Sequence, residues 1–244
     1  METFYITDKG KVRELNEDNV IILKNNHNQV LLAVADGMGG HNSGETASFI
    51  SISELEKEFS KIDKFDSKEE IVLFIRKMAT QINDKIFKHS EENKESKGLG
   101  TTLVMAIYTK DMLIFGNIGD SCGMVEKENK LFKITKEHTL INLLISTGKL
   151  TEEKATNHPQ KNILMKALGA MNPVEIDIFD VDSNVDGILL CSDGLTNMLS
   201  MTQIEKTLKL ELDTKERIKK LVTKCNNRGG IDNISIAYLN NKGR

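Results

Sequence analysis

Short strand-like segments joined by tight turns constrain the fold of this chain more than any other feature. Residues 101–109 (TTLVMAIYT) and 112–118 (MLIFGNI) are two residues apart, and a turn around EKENK joins 122–126 to 130–134. Such short connections require antiparallel pairing, because parallel strands need a crossover of about a dozen residues or more. The remaining predicted strands are residues 19–24, 29–35, 174–181, 187–192 and 233–239.

Helical segments occur in pairs between these strands. They are predicted at residues 43–60, 67–90, 202–210 and 214–227. The second begins with Ser67-x-x-Glu70, a capping-box signature, and then repeats apolar residues at helical spacing. Amphipathic helices must bury their apolar face against a sheet. The pattern therefore predicts an α+β layered domain with mostly antiparallel sheets, and it disfavours a doubly wound parallel sheet.

Composition excludes several classes of protein. With 244 residues, 39% hydrophobic and 28% charged, the chain can bury a core, and we expect one domain over residues 1–244. A net charge of −3 gives no electrostatic footprint for nucleic acid or an anionic membrane. We find neither a membrane-length apolar run nor a signal peptide. Cys122, Cys191 and Cys225 lack metal-type spacing, so we expect reduced thiols and a cytoplasmic protein.

Aspartates stand at the ends of several predicted strands. Five share this placement: Asp18, Asp36, Asp120, Asp193 and Asp232. Asp18 and Asp232 precede a strand and the other three follow one. If strand 233–239 runs antiparallel to its neighbours, these carboxylates gather at one edge of the fold.

Such a cluster of carboxylates needs a cation. Without one, the charges would repel by several kcal/mol in a partly buried site. Hard oxygen ligands select Mg²⁺, Mn²⁺ or Ca²⁺, and the glycines of Asp36-Gly-Met-Gly-Gly would let backbone, metal and a phosphate come close. The alternative is that an Asp-Gly pair is only a turn. We keep that interpretation for Asp186-Gly187.

Six short blocks follow one another along the chain. They are RELNED (residues 13–18), DGMGGH (36–41), GTT (100–102), GDS (119–121), SDG (192–194) and Asp232-Asn233. In this order they resemble the bacterial type 2C, metal-dependent serine/threonine protein phosphatases, and segment 137–169 is similar to the stretch that separates the family's GDS and SDG blocks. The resemblance covers essentially the whole chain. It implies a central β-sandwich of two antiparallel sheets flanked by pairs of α-helices (four layers, αββα), with a flap within 137–169.

The resemblance also implies a metal centre of two Mn²⁺ or Mg²⁺ ions. Asp36 resembles the carboxylate that bridges the two ions, and the backbone carbonyl of Gly37 would be a further ligand. Asp193 and Asp232 would hold the first ion.

Other matching residues imply the rest of the site. Asp18, with Glu17 beside it, would serve the second ion, partly through water. Asp120 together with Asp193 resembles the pair that binds a third, weaker ion. Arg13 matches the arginine that grips the substrate phosphate.

A few positions depart from the family pattern or leave a role open. Met38 stands where eukaryotic relatives carry a histidine, so His41 is a candidate proton donor, with a purely structural loop role or a metal-bound water as the alternatives. Cys122 and Lys166 replace arginines that are common in the family. The histidines of the variable segment, His138 among them, are expected to be solvated or capping residues.

The implied function is hydrolysis of phosphoserine and phosphothreonine in proteins by a water that bridges the two ions. We expect a monomer that acts on phosphoprotein substrates, including a serine/threonine protein kinase, and neither binds nucleic acid nor inserts into a membrane. One alternative is a catalytically degenerate module that binds phosphoproteins. Another is a partner-switching phosphatase specific for one anti-sigma-factor antagonist.

Overall fold

The fold was obtained as a computed structural model that describes residues 1–39, 43–93, 98–155, 158, 160 and 163–242. Its strands are β1 (Glu2–Asp8), β2 (Asp18–Lys24), β3 (Val30–Met38), β4 (Gly100–Thr101), β5 (Leu103–Tyr108), β6 (Leu113–Ile118), β7 (Cys122–Lys127), β8 (Lys130–Lys133), β9 (Asp177–Val181), β10 (Gly187–Cys191) and β11 (Ile234–Asn240). Its helices are α1 (Ser43–Phe59), α2 (Lys68–Glu92), α3 (Leu140–Ser146), α4 (Glu152–Ala155), α5 (Asp193–Thr196), α6 (Met201–Leu208) and α7 (Thr214–Asn227).

The strands form two sheets in which every pairing is antiparallel. The first sheet has the order β1-β11-β10-β7-β8, and the second has the order β2-β3-β5-β6-β9, with β4 paired to β3. Both hairpins expected from the short turns, β5–β6 and β7–β8, are present. The predicted α+β fold with antiparallel sheets is therefore confirmed.

Three apolar layers hold the sheets and helices together. Successive side chains of a strand point to opposite faces, and on β3 Leu31 and Ala33 face α1 and α2, whereas Leu32 and Val34 face the first sheet. On the far side, α6 and α7 cover the first sheet through residues such as Leu221. The order of layers is helices, sheet, sheet, helices, which is the predicted αββα arrangement.

Strand direction gathers the aspartates at one edge. β3 and β6 both run antiparallel to β5, so their C-terminal ends lie on the same side. β10 and β11 are antiparallel, so Asp193, two residues after β10, comes near Asp232, two residues before β11. Asp18 lies directly opposite Asp36 in the β2–β3 register. The expectation that strand 233–239 runs antiparallel to its neighbours is confirmed.

The structure adds elements that the sequence pattern did not predict. β1 is an edge strand that contributes only partly buried side chains, Phe4 and Ile6, to the first sheet. Within the segment 137–169, α3 begins after Thr139, whose hydroxyl accepts a hydrogen bond from the Asn142 N–H (3.3 Å). The strand predicted at 174–181 begins only at Asp177. Among the described residues, no helix combines the length and apolar character needed to cross a membrane.

Candidate metal centre

A cavity of about 290 Å³ opens at the edge where the aspartate-bearing strands end. It is lined by Arg13, Glu17, Asp36, Gly37, Met38, Gly39, Thr102, Asp120, Leu164, Asp193, Asp232 and Asn233. The structure thus brings together every predicted site residue except two. Asp18 is not among the lining residues, and His41 lies outside the described residues.

Asp36 is held at the end of β3 by the threonine pair of the GTT block. Its backbone N–H donates to Thr102 Oγ1 (3.1 Å), and its carbonyl accepts from the Thr102 N–H (2.9 Å) and from Thr101 Oγ1 (2.9 Å). Thr102 Oγ1 in turn lies 2.7 Å from Ser121 Oγ. These hydroxyls are buried and satisfied within the protein, so they fix the backbone of Asp36 and leave its side chain free to face the cavity.

Asp18 is buried next to Asp36 and is not among the residues that line the cavity. Its Oδ2 accepts a hydrogen bond from Ser192 Oγ (2.7 Å), and Ser192 Oγ accepts one from the Ser235 N–H (2.9 Å). The other oxygen, Oδ1, is buried without a hydrogen-bond partner among the described residues. A buried carboxylate oxygen of this kind needs a cation or a bound water. This observation fits a metal centre built around Asp36, which is paired with Asp18 on the neighbouring strand.

Glu17 reaches the cavity at the start of α1. Its carboxylate accepts a hydrogen bond from the Gly44 N–H, where the helix dipole favours negative charge. A Cβ at Gly44 would lie 2.5 Å from Glu17 Oε1, so glycine is required for this approach. The Glu17 N–H donates to Asn233 Oδ1 (2.9 Å), and its carbonyl accepts from the Gly37 N–H (3.1 Å). Glu17 therefore ties β3, α1 and the start of β11 to one wall.

Arg13 places the guanidinium group at the mouth of the cavity. Its Nη2 donates to Asp232 Oδ2 (2.9 Å), and its side chain is 50% exposed. A guanidinium carries five N–H donors in a fixed fork, so it can hold Asp232 and a phosphate at the same time. On the other side of the cavity, Asn197 Nδ2 donates to Asp193 Oδ2 (2.9 Å) and orients that carboxylate.

The carboxylates of the cavity are electrostatically unfavourable without a cation. Burial raises the pKa of Asp18 and of Asp120 to about 6. Burial, and then the neighbouring Asp120, raise the pKa of Asp193 to about 7. Burial, and then Asp18, hold the pKa of Asp36 well above its usual range. In the described part of the chain, no three acidic, histidine or cysteine side chains are already close enough to enclose an ion, but the donors are the hard oxygens that Mg²⁺ and Mn²⁺ prefer.

The metal-free protein is expected to lose stability as the pH rises from about 4 to about 7. Unfolded aspartates titrate near about 4, whereas Asp120 titrates at about 6 and Asp193 at about 7 in the fold. The folded state therefore binds more protons than the unfolded state across this window, and the free energy of unfolding falls as the pH rises.

Melting temperatures at pH 5, 6, 7 and 8 in the presence of a chelator would measure this effect. The Asp193→Asn variant serves as the control and should show a shallower dependence on pH. A melting temperature that rises over the same range would contradict the electrostatic description of the site.

Two residues contribute to the site in ways that the sequence analysis missed. Asn233 donates from Nδ2 to the carbonyls of Lys9 and Leu15 (both 2.9 Å), which holds the loop that carries Arg13 and Glu17. His138 was expected to be solvated or a cap, but its side chain is only 10% exposed and bonds to the backbone next to Asp120. Asn233 could have been found, because it belongs to the Asp232-Asn233 block. No local sequence pattern indicated a role for His138 in the site.

Comparisons with known proteins identify the family of this chain. The family model for protein phosphatase 2C matches residues 9–228. A serine/threonine phosphatase, Stp, of Listeria welshimeri is 40% identical over 240 residues, covering 98% of this chain and 95% of that protein. The solved serine/threonine phosphatase of S. agalactiae superposes with a TM-score of 0.91 at 35% identity, covering 97% of this chain and 98% of that one.

A further solved structure bears on the metal. It is the catalytic domain of the serine/threonine protein phosphatase PstP in complex with two manganese ions, with a TM-score of 0.81 at 29% identity over 97% of this chain and 96% of that one. This likeness supports metal dependence. The chain therefore belongs to the protein phosphatase 2C family and is a metal-dependent serine/threonine phosphatase.

Proposed function

We propose that the cavity at the sheet edge is the active site, and that it hydrolyses phosphoserine and phosphothreonine in proteins with Mn²⁺ or Mg²⁺. The observation that carries this proposal is the meeting of hard oxygen donors from both sheets with one guanidinium, that of Arg13, in a single cavity. When bound, two divalent ions supply an activated water and neutralise charge on the phosphate. Asp36 lies on β3 of the second sheet, and Asp120 follows β6 of the same sheet. Asp193 follows β10 and Asp232 precedes β11, both strands of the first sheet.

Each of these residues has a distinct part in the proposal. Asp36 would face both core ions, the backbone carbonyl of Gly37 would be a further ligand, and Asp193 with Asp232 would hold the first ion. Glu17 would serve the second ion from the cavity wall. Asp18, which is buried and paired with Asp36 on the neighbouring strand, would serve the second ion partly through water.

Two further parts concern the third ion and the phosphate. Asp120 would hold a third ion together with Asp193. Arg13 would turn its exposed guanidinium to the phosphate and orient the ester for attack.

The leaving serine or threonine oxygen needs a proton. Met38 lines the cavity, but its thioether carries no acidic proton. His41 remains a candidate donor, and a metal-bound water is the alternative.

Hydrolysis of a phosphothreonine peptide tests the reaction class and the site together. Purified protein is expected to release phosphate with Mn²⁺ and not with chelator. Asp193→Asn should lower kcat/KM about 100-fold, which is typical for loss of one electrostatic stabilising group. Asp186→Asn is the matched control, because Asp186 also precedes a glycine but accepts a hydrogen bond from the Glu128 N–H away from the cavity. Folded wild-type protein that binds Mn²⁺ without turnover would instead indicate a phosphoprotein-binding module.

The cellular setting is also a proposal. The substrates would be phosphoproteins, among them a serine/threonine kinase that the phosphatase opposes, and the enzyme would act as a cytoplasmic monomer that does not bind nucleic acid. Three buried free thiols and a net charge of −3 support a reducing compartment and argue against a polyanionic partner. We also keep the proposals of a single domain and of a flap within residues 137–169.

A further inference from the structure

A partly buried histidine connects the base of segment 137–169 to the loop that carries Asp120. His138 Nδ1 accepts a hydrogen bond from the Gly119 N–H (3.0 Å), and the His138 N–H donates to the Gly119 carbonyl (2.9 Å). On the other side of the ring, Nε2 lies 3.1 Å from Asp177 Oδ2. Both nitrogen atoms of the imidazole are thus held by hydrogen bonds. One of these bonds is to Gly119, the residue directly before Asp120.

These contacts define the tautomer of His138. Nδ1 faces a backbone donor, so it must be the unprotonated nitrogen, and the proton is on Nε2, where it donates to the Asp177 carboxylate. Lys166 lies 3.7 Å from the other oxygen of Asp177 and holds it in place. In metal sites, a carboxylate often orients a histidine in this manner while the other ring nitrogen binds the metal. Here the other ring nitrogen binds the Gly119 N–H.

The loop held by His138 has little freedom to move. Gly119 has a φ of +107°, and a Cβ there would lie 2.5 Å from Thr102 Cβ. Asn117 Nδ2 donates to the carbonyls of Gly119 (3.3 Å) and Lys136 (3.0 Å). Asn117 is also paired with Asp177 in the β6–β9 register. The backbone of Gly119, before Asp120, is therefore held by Asn117 of β6, by close contact with Thr102 and by the imidazole of His138.

The same histidine is bonded to the far end of segment 137–169. The Met165 N–H donates to the His138 carbonyl (2.7 Å), and Leu168 exchanges two backbone hydrogen bonds with Thr101 (2.9 and 3.1 Å). Leu164, next to Met165, lines the cavity. Residues 165–168 are therefore bonded to the GTT block and, through the His138 backbone, to Gly119.

We propose that His138 is a positioning residue that sets the Asp120 carboxylate for metal binding. The inference rests on the proposed function, in which Asp120 holds the third, weaker ion. The Gly119 contact carries the effect, and the Asp177 contact only orients the ring. Loss of the first contact should therefore weaken metal binding more than loss of the second.

Calorimetric titration with Mn²⁺ tests the proposal without relying on turnover. His138→Ala should weaken the weakest Mn²⁺ site about tenfold, as expected for a residue that orients a ligand. His138→Asn places an acceptor oxygen as many bonds from Cβ as Nδ1 and should restore most of the affinity. His138→Gln places its polar atoms near Nε2 and should not. His27→Ala, at the opposite end of the sandwich with a side chain 45% exposed, should behave as wild type.

The result separates this inference from the proposed function. If Asp120→Asn leaves Mn²⁺ binding unchanged, the assignment of Asp120 is wrong. If Asp120→Asn weakens binding but His138→Ala does not, or if the glutamine variant restores binding better than the asparagine variant, the positioning role is wrong. Because the two amide variants each remove one contact, their order remains informative even where His138→Ala lowers the melting temperature. In ¹⁵N spectra, His138 should show a protonated Nε2, and a protonated Nδ1 would overturn the geometry.

Discussion

Replacing Asp36 by asparagine is expected to lower kcat/KM by about 1000-fold or more. In the proposed site Asp36 faces both core ions, and metal centres supply several kcal/mol of transition-state stabilisation, at about 1.36 kcal/mol for each tenfold in rate. Asparagine keeps the shape of the side chain and the backbone contacts with Thr102, so the loss would be one of charge. Phosphate release from a phosphothreonine peptide over a range of Mn²⁺ concentrations measures it.

The same substitution should have the opposite effect on the stability of the metal-free protein. Asp36 is partly buried and is repelled by four other carboxylates, of which Asp18 has the largest effect, so removal of its charge relieves repulsion. In chelator the melting temperature of Asp36→Asn is expected to exceed that of wild type. Activity within tenfold of wild type would remove Asp36 from the metal centre. A lower melting temperature in chelator would show that repulsion does not dominate at this position.

Replacing Gly194 by alanine is expected to lower the free energy of unfolding by about 3 kcal/mol or more. A Cβ at this position would lie 1.9 Å from the backbone oxygen of Asn233, and a backbone atom cannot move aside by changing rotamer. The start of β11 would have to shift together with Asp232, which lies two residues before that strand. Gly194 itself directly follows Asp193, so both carboxylates are next to the clash. Metal binding should therefore weaken together with stability.

Urea unfolding in chelator measures the cost of Gly194→Ala, and Mn²⁺ titration measures its effect on the site. Gly148→Ala provides the comparison, because its φ of +70° is unfavourable for alanine but nothing lies within 4 Å of the added Cβ. That variant should cost only about 1–2 kcal/mol, the cost of the left-handed conformation alone. If Gly194→Ala costs no more than Gly148→Ala, the two strand ends are not packed rigidly against each other.

Much of the fold could be predicted from connection lengths and periodicity. Two-residue turns forced β5 and β6 to be antiparallel, and aspartates at the ends of such strands had to meet at an edge. Strand direction was enough to place Asp193 and Asp232 at one edge of the first sheet. Asp36 reaches the same cavity because the two sheets pack face to face.

The features that could not be predicted depend on contacts between distant residues. β1 has few fully buried side chains because it is an edge strand, so its apolar pattern is weak. Asp18 was expected to serve the second ion partly through water, but its hydrogen bond to Ser192, 174 residues away along the chain, was not expected. The role of His138 depends on the register of β6 with β9 and on the path of the segment that follows. The spacing of residues along the sequence does not indicate such contacts.

The acidic cavity is assembled from two sheets, and this arrangement has a consequence for how the protein varies. Asp36 belongs to the second sheet and Asp193 follows a strand of the first, so the gap between them depends on the apolar layer that separates the sheets. That layer is made of residues such as Leu32 and Leu190, which never approach an ion. Mg²⁺ tolerates little departure from ideal octahedral geometry. Inherited differences in metal preference between such proteins can therefore arise from a methyl group gained or lost in the interior, and a survey confined to acidic residues would overlook them.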